Sequence, residues 1–368
     1  MRNENMIEPQ NQQSCQTSVM VSADGLNVVS LFNGMNTGRQ ALENQGFKVN
    51  KYYSSEIKPY AIELTQHHFP DTIQVGDVTK WREWDIEWKS IDLVLSGSPC
   101  QDLSAAGKRA GINGKKSSLF FVFIEILEHI KSLNPKVIFF QENVGSASVT
   151  DIGIMSRALG VYPVRFNSEL VTAQTRDRYY WTNIRTKETM FDTVTDIPHP
   201  KDKKIKLQDI LENGFVQINK SRAILESEER PLNQQHKMAH RFFTSGFTTV
   251  IFKDNETFLR VKEATKTGFV DIANGKSVDL SYPKSKTRRG RSMDEKSNCL
   301  LRNNEYFVFN NGDLRYFTKT ELCRLQGFPD NYCDILTRNK AASLLGDGWT
   351  LPIVEHIFSF MHKTKPYL

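Results

Sequence analysis

Two apolar runs, each opening into a loop or segment that carries a reactive side chain, constrain this chain more than any other feature. Ile91-Asp92-Leu93-Val94-Leu95-Ser96-Gly97 leads into Ser98-Pro99-Cys100-Gln101, and Val137 to Phe140 leads into Gln141-Glu142-Asn143-Val144. Short apolar runs closed by turn residues read as strands buried on both faces, the signature of a parallel sheet. Open α/β sheets bind ligands beyond the carboxyl ends of their strands. A thiol, Cys100, and a carboxyl, Glu142, are therefore expected at one sheet edge. Taken singly, a cysteine after a strand reads as a small buried hydrophobe and a Glu-Asn pair as a helix cap or solvated loop. The order of further pieces along the chain favours the chemical reading.

The first of these pieces is Leu26-Asn27-Val28-Val29-Ser30-Leu31-Phe32, a β-rich run followed by Asn33-Gly34-Met35-Asn36-Thr37-Gly38 and a helical pattern through Leu42. Glycines in such a turn let the backbone approach a ligand, and the next helix offers unpaired amides. No Gly-Lys-Ser/Thr ending and no third glycine in dinucleotide spacing accompany it, so a phosphate cradle is not indicated. Glu56, after the strand-like run Lys51 to Ser55, is placed to accept bonds from ribose hydroxyls. Gly76-Asp77-Val78 supplies an acid at a third strand end, able to take the exocyclic amine of adenine, or else to serve as a turn or helix cap. The pattern suits a nucleoside better than a nucleotide.

The order of these motifs resembles that of the cytosine-C5 DNA methyltransferases that use S-adenosylmethionine, from Leu26 to the C-terminus. The motifs are Phe32-Asn33-Gly34, Glu56, Gly76-Asp77-Val78, Pro99-Cys100-Gln101, Glu142-Asn143-Val144, Gln174-Thr175-Arg176-Asp177-Arg178 and two C-terminal motifs on the cofactor side. Ser30-Leu31-Phe32, Gly97-Ser98-Pro99-Cys100, Arg315-Tyr316-Phe317-Thr318 and Leu345-Gly346-Asp347-Gly348-Trp349 resemble the animal de novo branch in wording, whereas Gln101 and Gln174 resemble bacterial enzymes. An RNA-methylating relative is the nearest alternative, but the chain has no Cys-Phe-Thr segment and has Ser98 where that branch usually has proline. A non-catalytic homologue tends to lose the nucleophile or the acid, and both are present.

The resemblance implies an α/β fold, a doubly wound and mostly parallel sheet of the class I S-adenosylmethionine-dependent methyltransferases, with a smaller inserted target-recognition domain. Carbon 5 of cytosine is a poor nucleophile in the aromatic ring, and a thiolate adding to carbon 6 turns the ring into an enamine that attacks a methyl group. Cys100 would attack, and a protonated Glu142 at the ring nitrogen and exocyclic amine would stabilise the adduct. Arg178 would meet the base's carbonyl oxygen. Arg176 would hold nearby backbone or phosphate and favour the thiolate; both arginines are expected on one strand face running into Tyr179-Tyr180-Trp181. Cofactor contacts would come from Phe32, Asn33, Gly34, Thr37, Glu56, Ile57, Asp77, Val78, Pro99, Asp347, Gly348 and Trp349. Asp347 departs from the asparagine that many relatives carry.

Composition enters through its clusters rather than its net charge of +6. The glycine-containing basic loop Gln101 to Lys116 reads as a lid over DNA, with Gln101, Ser104, Lys108 and Arg109 as expected contacts. Lys201 to Lys206 and Lys284 to Arg291 are basic, and Arg288, Arg289 and Arg291 are expected to meet DNA. The expected organisation is a disordered polar tail over 1–22, a catalytic and cofactor-binding domain over 23–186, a target-recognition domain over 187–313 and a return to the catalytic domain over 314–368. Thr318-Lys319-Thr320-Glu321 has capping-box spacing, and Gly327-Phe328-Pro329 should stop the helix it begins. The five cysteines form no CxxC pair, which points to a reducing cytoplasm, bacterial or phage-infected, and to no metal. The expected partner is double-stranded DNA, bound by a monomer, with no membrane segment.

Overall fold

The structure, a computed structural model, describes residues 25–99, 119–216, 218–224, 251, 264–268, 287 and 317–361, and the backbone of several short strands besides. Two compact units emerge, one comprising Met1–Asn167, Asp177–Pro200 and Ile353–Leu368, the other Ser168–Arg176 and Lys201–Pro352.

The first unit is built on a seven-stranded sheet. Its strands are β1 (Leu26–Leu31), β2 (Val49–Ser55), β3 (Ile73–Gln74), β4 (Leu93–Ser96), β5 (Ile138–Val144), β6 (Val164–Asn167) and β7 (Asp177–Thr182). They lie in the order β3-β2-β1-β4-β5-β7-β6. The first five pair in parallel, and β7 runs antiparallel to both its neighbours. The chain starts in the middle of the sheet, works outward to β3, then crosses back to β4. That reversal puts the ends of β1 and β4 side by side at the position where open α/β sheets take ligands.

The expected strands are present, with one difference at the site. Gln141 to Val144 do not leave the sheet: they extend β5, because β7 pairs with this stretch from Phe140 through Val144. Glu142 thus stands on a strand, opposite Tyr180 of β7.

Between strands run α1 (Thr37–Asn44), α2 (Pro59–His68), α3 (Leu119–Leu133) and α4 (Val149–Leu159). Phe120, Phe123, Ile126, Leu127 and Ile130 form the buried stripe of α3 at helical spacing. They pack with Val29, Leu31, Val94, Phe139 and Trp181 of the sheet. Ser148 caps α4 by accepting from the Asp151 amide at 3.1 Å, and Gly160 ends it in the left-handed conformation.

Among the described residues, the second unit contains short strand pairs and two α-helices. Gln174–Thr175 runs parallel to Ser221–Arg222, and Leu259–Lys262 pairs antiparallel with Phe269–Ile272 and Val308–Phe309. Helix α5 (Lys319–Gln326) has the expected capping box, with Thr318 Oγ1 accepting from the Glu321 amide and Glu321 Oε2 accepting from the Thr318 amide. Its stop is Gly327 at φ +77°, where a Cβ would lie 2.3 Å from Pro352 Cδ. Helix α6 (Arg338–Asp347) follows, and α7 (Leu351–Phe358) carries the chain back to the first unit.

Candidate active site

On β5, alternate side chains face opposite ways. Glu142 and Val144 share one face, and Arg178 on β7 lies directly opposite Val144 in register. The guanidinium reaches diagonally to Glu142, its Nε 2.9 Å from Oε1, with both side chains largely buried. Arg178 Nη1 also donates to the Asp177 carbonyl at 2.7 Å. The next residue after the strand, Gly145, donates its amide to the Asp177 carbonyl at 3.0 Å.

Gln141 and Asn143 take the other face. Gln141 Nε2 donates to Ser98 Oγ at 3.0 Å and Asn143 Nδ2 donates to the same oxygen at 3.4 Å, with all three side chains buried. Ser98 stands two residues before Cys100 in the sequence. The chain leaving β4 is thus bonded to both neighbours of Glu142.

At the ends of β1 to β3 a second group forms. The loop after β1 contains three residues with positive φ, Phe32 at 56°, Gly34 at 57° and Asn36 at 64°. Left-handed backbone at a bulky phenylalanine is uncommon and is held here by bonds on either side. Asn33 donates its amide to the Ser55 carbonyl, while its side chain turns inward to Thr65 Oγ1 and the Tyr52 hydroxyl. Burial pushes that Tyr52 hydroxyl well above the usual tyrosine range.

Glu56 ties this loop to the next strand end. Its Oε2 accepts from the Gly34 amide at 2.8 Å, and its Oε1 accepts from the amides of Ile57 at 2.7 Å and Lys58 at 2.9 Å. Beside it Ile57 is 71% exposed. On the neighbouring strand end, Ser55 Oγ donates to the Gly76 carbonyl at 2.7 Å. Asp77 Oδ1 accepts from the amide and hydroxyl of Thr79, both at 2.9 Å. Those bonds, the amide first, hold its carboxyl below the usual carboxylate range. Asp77 is thus the cap of the short helix Val78–Glu83 while remaining exposed. Two acids on adjacent strand ends, an exposed isoleucine and no lysine or arginine between Phe32 and Gly38 fit a nucleoside that carries no phosphate.

In the second unit, Arg176 Nη2 donates to the carbonyls of Gly346 at 3.0 Å and Gly348 at 2.9 Å. A cation there suits the carbonyl-rich end of α6. Gln326 Nε2 donates to the Leu345 carbonyl, and its Oε1 accepts from Thr350 Oγ1 at 2.9 Å. The segment with Asp347, Gly348 and Trp349 is thereby held by two buried side chains.

Comparison with known proteins agrees with this geometry. The description "C-5 cytosine-specific DNA methylase" matches residues 26–363. The chain belongs to this family. It is a DNA methylase that transfers methyl groups to carbon 5 of cytosine. Among curated relatives, the type II methyltransferase M.NlaIV of Neisseria lactamica is 26% identical over 89% of this chain and 97% of its own length. M.HpaII of Haemophilus parainfluenzae is 26% identical over 89% of this chain and 86% of its own length. A solved structure, the Entamoeba histolytica methyltransferase EhMeth, shares the fold with a TM-score of 0.51 at 18% identity, over 91% of this chain and 97% of that one.

Within the methylase, Glu142 is in contact with Arg178 and Glu56 with Gly34, pairings that the sequence did not announce. Arg176 and Arg178 are not two rungs of one strand. The strand breaks at Arg176, between Gln174–Thr175 and β7, and the two guanidiniums have different partners. Thr37 opens α1, Val78 and Trp349 are buried, and Pro99 is half-buried. Cys100, Gln101, Ser104, Lys108, Arg109, Arg288, Arg289 and Arg291 lie outside the described residues. Gln141 and Ser98 in the first unit stand beside Glu142, and Gln326 in the second unit stands beside the Asp347–Trp349 segment, without having been expected there; their signal in the sequence was polar residues inside otherwise apolar segments. Among the described residues no group of His, Cys, Asp and Glu could hold a metal, and no helix is long and apolar enough to cross a membrane.

Proposed function

We propose that this methylase acts through a covalent bond between Cys100 and the target cytosine, extruded from duplex DNA, with Glu142 as the acid. The observation that carries the reading is the bonding of Ser98 to both neighbours of Glu142. The Cys100 thiolate adds to carbon 6, forming a carbon–sulfur bond, while Glu142 gives a proton to the ring nitrogen and the ring becomes an enamine. Bound S-adenosylmethionine would supply the electrophilic methyl that carbon 5 takes up, its sulfur keeping the electron pair of the broken methyl–sulfur bond as a neutral thioether. A base then removes the carbon 5 proton, the carbon–sulfur bond breaks toward sulfur so that Cys100 leaves as thiolate, and the ring nitrogen gives its proton back to Glu142. Arg178, whose Nη2 meets no described acceptor, is placed in this reading at the base's carbonyl oxygen. Gly34, Glu56, Ile57 and Asp77 would hold the nucleoside of the cofactor, with Phe32, Asn33, Thr37, Val78 and Pro99 shaping its surroundings and Asp347, Gly348 and Trp349 on the methionine side. Arg176 would serve by holding that last segment.

DNA contacts are assigned to Gln101, Ser104, Lys108, Arg109, Arg288, Arg289 and Arg291, and target recognition to the 187–313 stretch. The curated relatives are bacterial type II methyltransferases, which supports a restriction-modification or phage-protection role in a bacterial cytoplasm. They give no support to the animal de novo branch, so that likeness is one of wording. We assign a monomer on DNA. The test is transfer of tritiated methyl from S-adenosylmethionine to duplex DNA and to tRNA by wild type and Cys100→Ala. Labelled DNA from wild type alone is the expected result; methylation by Cys100→Ala removes the mechanism, and labelled tRNA removes the substrate. Bisulfite sequencing of the product would then read out the target site.

A further inference from the structure

Gln141 is fully buried on β5, yet its Oε1 has no hydrogen-bond partner among the described residues. A buried unsatisfied acceptor is costly, so a methionine or leucine of similar size would suit stability better at this position. What the glutamine supplies instead is a pair of directed donors. Its Nε2 meets its own strand at the Glu142 carbonyl, 2.7 Å away, and Ser98 Oγ, 3.0 Å away. That pair also fixes which way the amide faces, since a flipped group would set two oxygens against each other. Asn143 is oriented in a similar way: its Oδ1 accepts from the Val144 amide at 2.8 Å, which turns its Nδ2 to Ser98. The 3.4 Å bond from Asn143 is long, so the shorter bond from Gln141 dominates.

We propose that Gln141 is a positioning residue for methyl transfer: it pins Ser98 to the strand that bears Glu142 and so sets the placement of the nucleophile's loop against the acid. The inference rests on Cys100 acting as nucleophile and Glu142 as acid. Neither Gln141 nor Ser98 touches a reacting atom. A displacement of about 1 Å in a reacting group can cost on the order of a hundredfold in rate, so the missing bond should appear in turnover rather than in binding.

The experiment compares Gln141→Met, Ser98→Ala and the double variant with wild type and Cys100→Ala. Each is measured for kcat, for KM with S-adenosylmethionine and with duplex DNA, and for exchange of the cytosine carbon 5 hydrogen without methyl donor. Expected is a tenfold to hundredfold fall in kcat and in exchange for each single variant, KM within twofold of wild type, and no further loss in the double variant. Unchanged kcat in Gln141→Met with Cys100→Ala inactive overturns the inference and leaves the mechanism standing; activity in Cys100→Ala overturns the mechanism itself. Losses that multiply in the double variant, or KM values that rise as kcat falls, reduce Gln141 to a packing residue. Should Gln141→Met fail to fold, Ser98→Ala decides alone by the same kcat and KM criteria.

Discussion

Glu142 and Arg178 occupy a diagonal of the sheet, and their pairing gives each residue two duties. The guanidinium both orients the carboxylate and depends on it, since removing one member of a buried pair strands the other. Arg178→Ala is therefore expected to lower stability by about 3–5 kcal/mol, read as a drop in the chemical-denaturation midpoint. Glu142→Gln keeps an acceptor for Arg178 Nε and should fold, but it cannot give up a proton and should lose about 10²–10⁴-fold in kcat, measured by tritiated-methyl transfer. At the opposite edge of the sheet, Asp92 precedes β4 and accepts from the Asn27 amide at 2.8 Å. Burial raises its carboxyl above the ordinary aspartate value, more than that bond lowers it. The folded state thus holds the Asp92 proton more tightly than the unfolded chain. Its contribution is fully present below the unfolded value near 3.8 and is lost as pH rises through the folded value. Asp92→Asn should melt higher than wild type at pH 7, with the difference shrinking as the buffer is made acidic through the carboxylate range.

Elements were readable where local chemistry decides them and obscure where a distant strand does. The runs before Phe32, Glu56 and Ser98 carry their apolar pattern, and the Thr318–Glu321 box with its Gly327 stop its capping residues, in their own local sequence, and they stand as that sequence suggests. The extension of β5 through Val144 depends on β7 arriving antiparallel, and the break at Arg176 depends on Gln174–Thr175 pairing with Ser221–Arg222. No local pattern announces either partner. Gly145 illustrates the same dependence: a Cβ there would stand 2.6 Å from Asp177 Oδ2 and 2.8 Å from the Asp177 carbonyl. Backbone cannot yield as a side-chain tip can, so Gly145→Ala should push the end of β5 from the start of β7 and disturb the Glu142–Arg178 diagonal. Methyl transfer should fall by at least about tenfold, the rate cost of a misplaced reacting group. Gly153→Ala, whose Cβ meets only the flexible Arg157 guanidinium at 3.3 Å, should keep wild-type activity in the same assay.

At the scale of the whole chain, the two units do not follow the linear order in which the motifs are read. Ser168–Arg176 joins the second unit from between two stretches of the first, and Ile353–Leu368 rejoins the first after it. A sequence read for composition registers where charge and aromatic content change, whereas compact units are decided by which buried faces find each other. Charge, by contrast, is a property of the whole surface, and the net +6 becomes informative where it is concentrated. Lys201, Lys203, Lys204 and Lys206 are all exposed in the second unit, with Asp202 and Asp209 engaged by the backbone amides of Lys204 and Lys206. The acids are thus partly occupied by their own loop, and the ammonium groups are left facing solvent. If these lysines meet phosphates, removing one such ammonium–phosphate pair should lower the slope of log affinity against log salt by about 0.9. Replacing the four by alanine should weaken cognate and unrelated duplexes by the same factor, because phosphates carry no sequence. Fluorescence-anisotropy titrations across a salt series measure both quantities. An unchanged slope would return the cluster to the status of a solvated surface, and a weakening confined to cognate DNA would make these lysines readers of base edges instead.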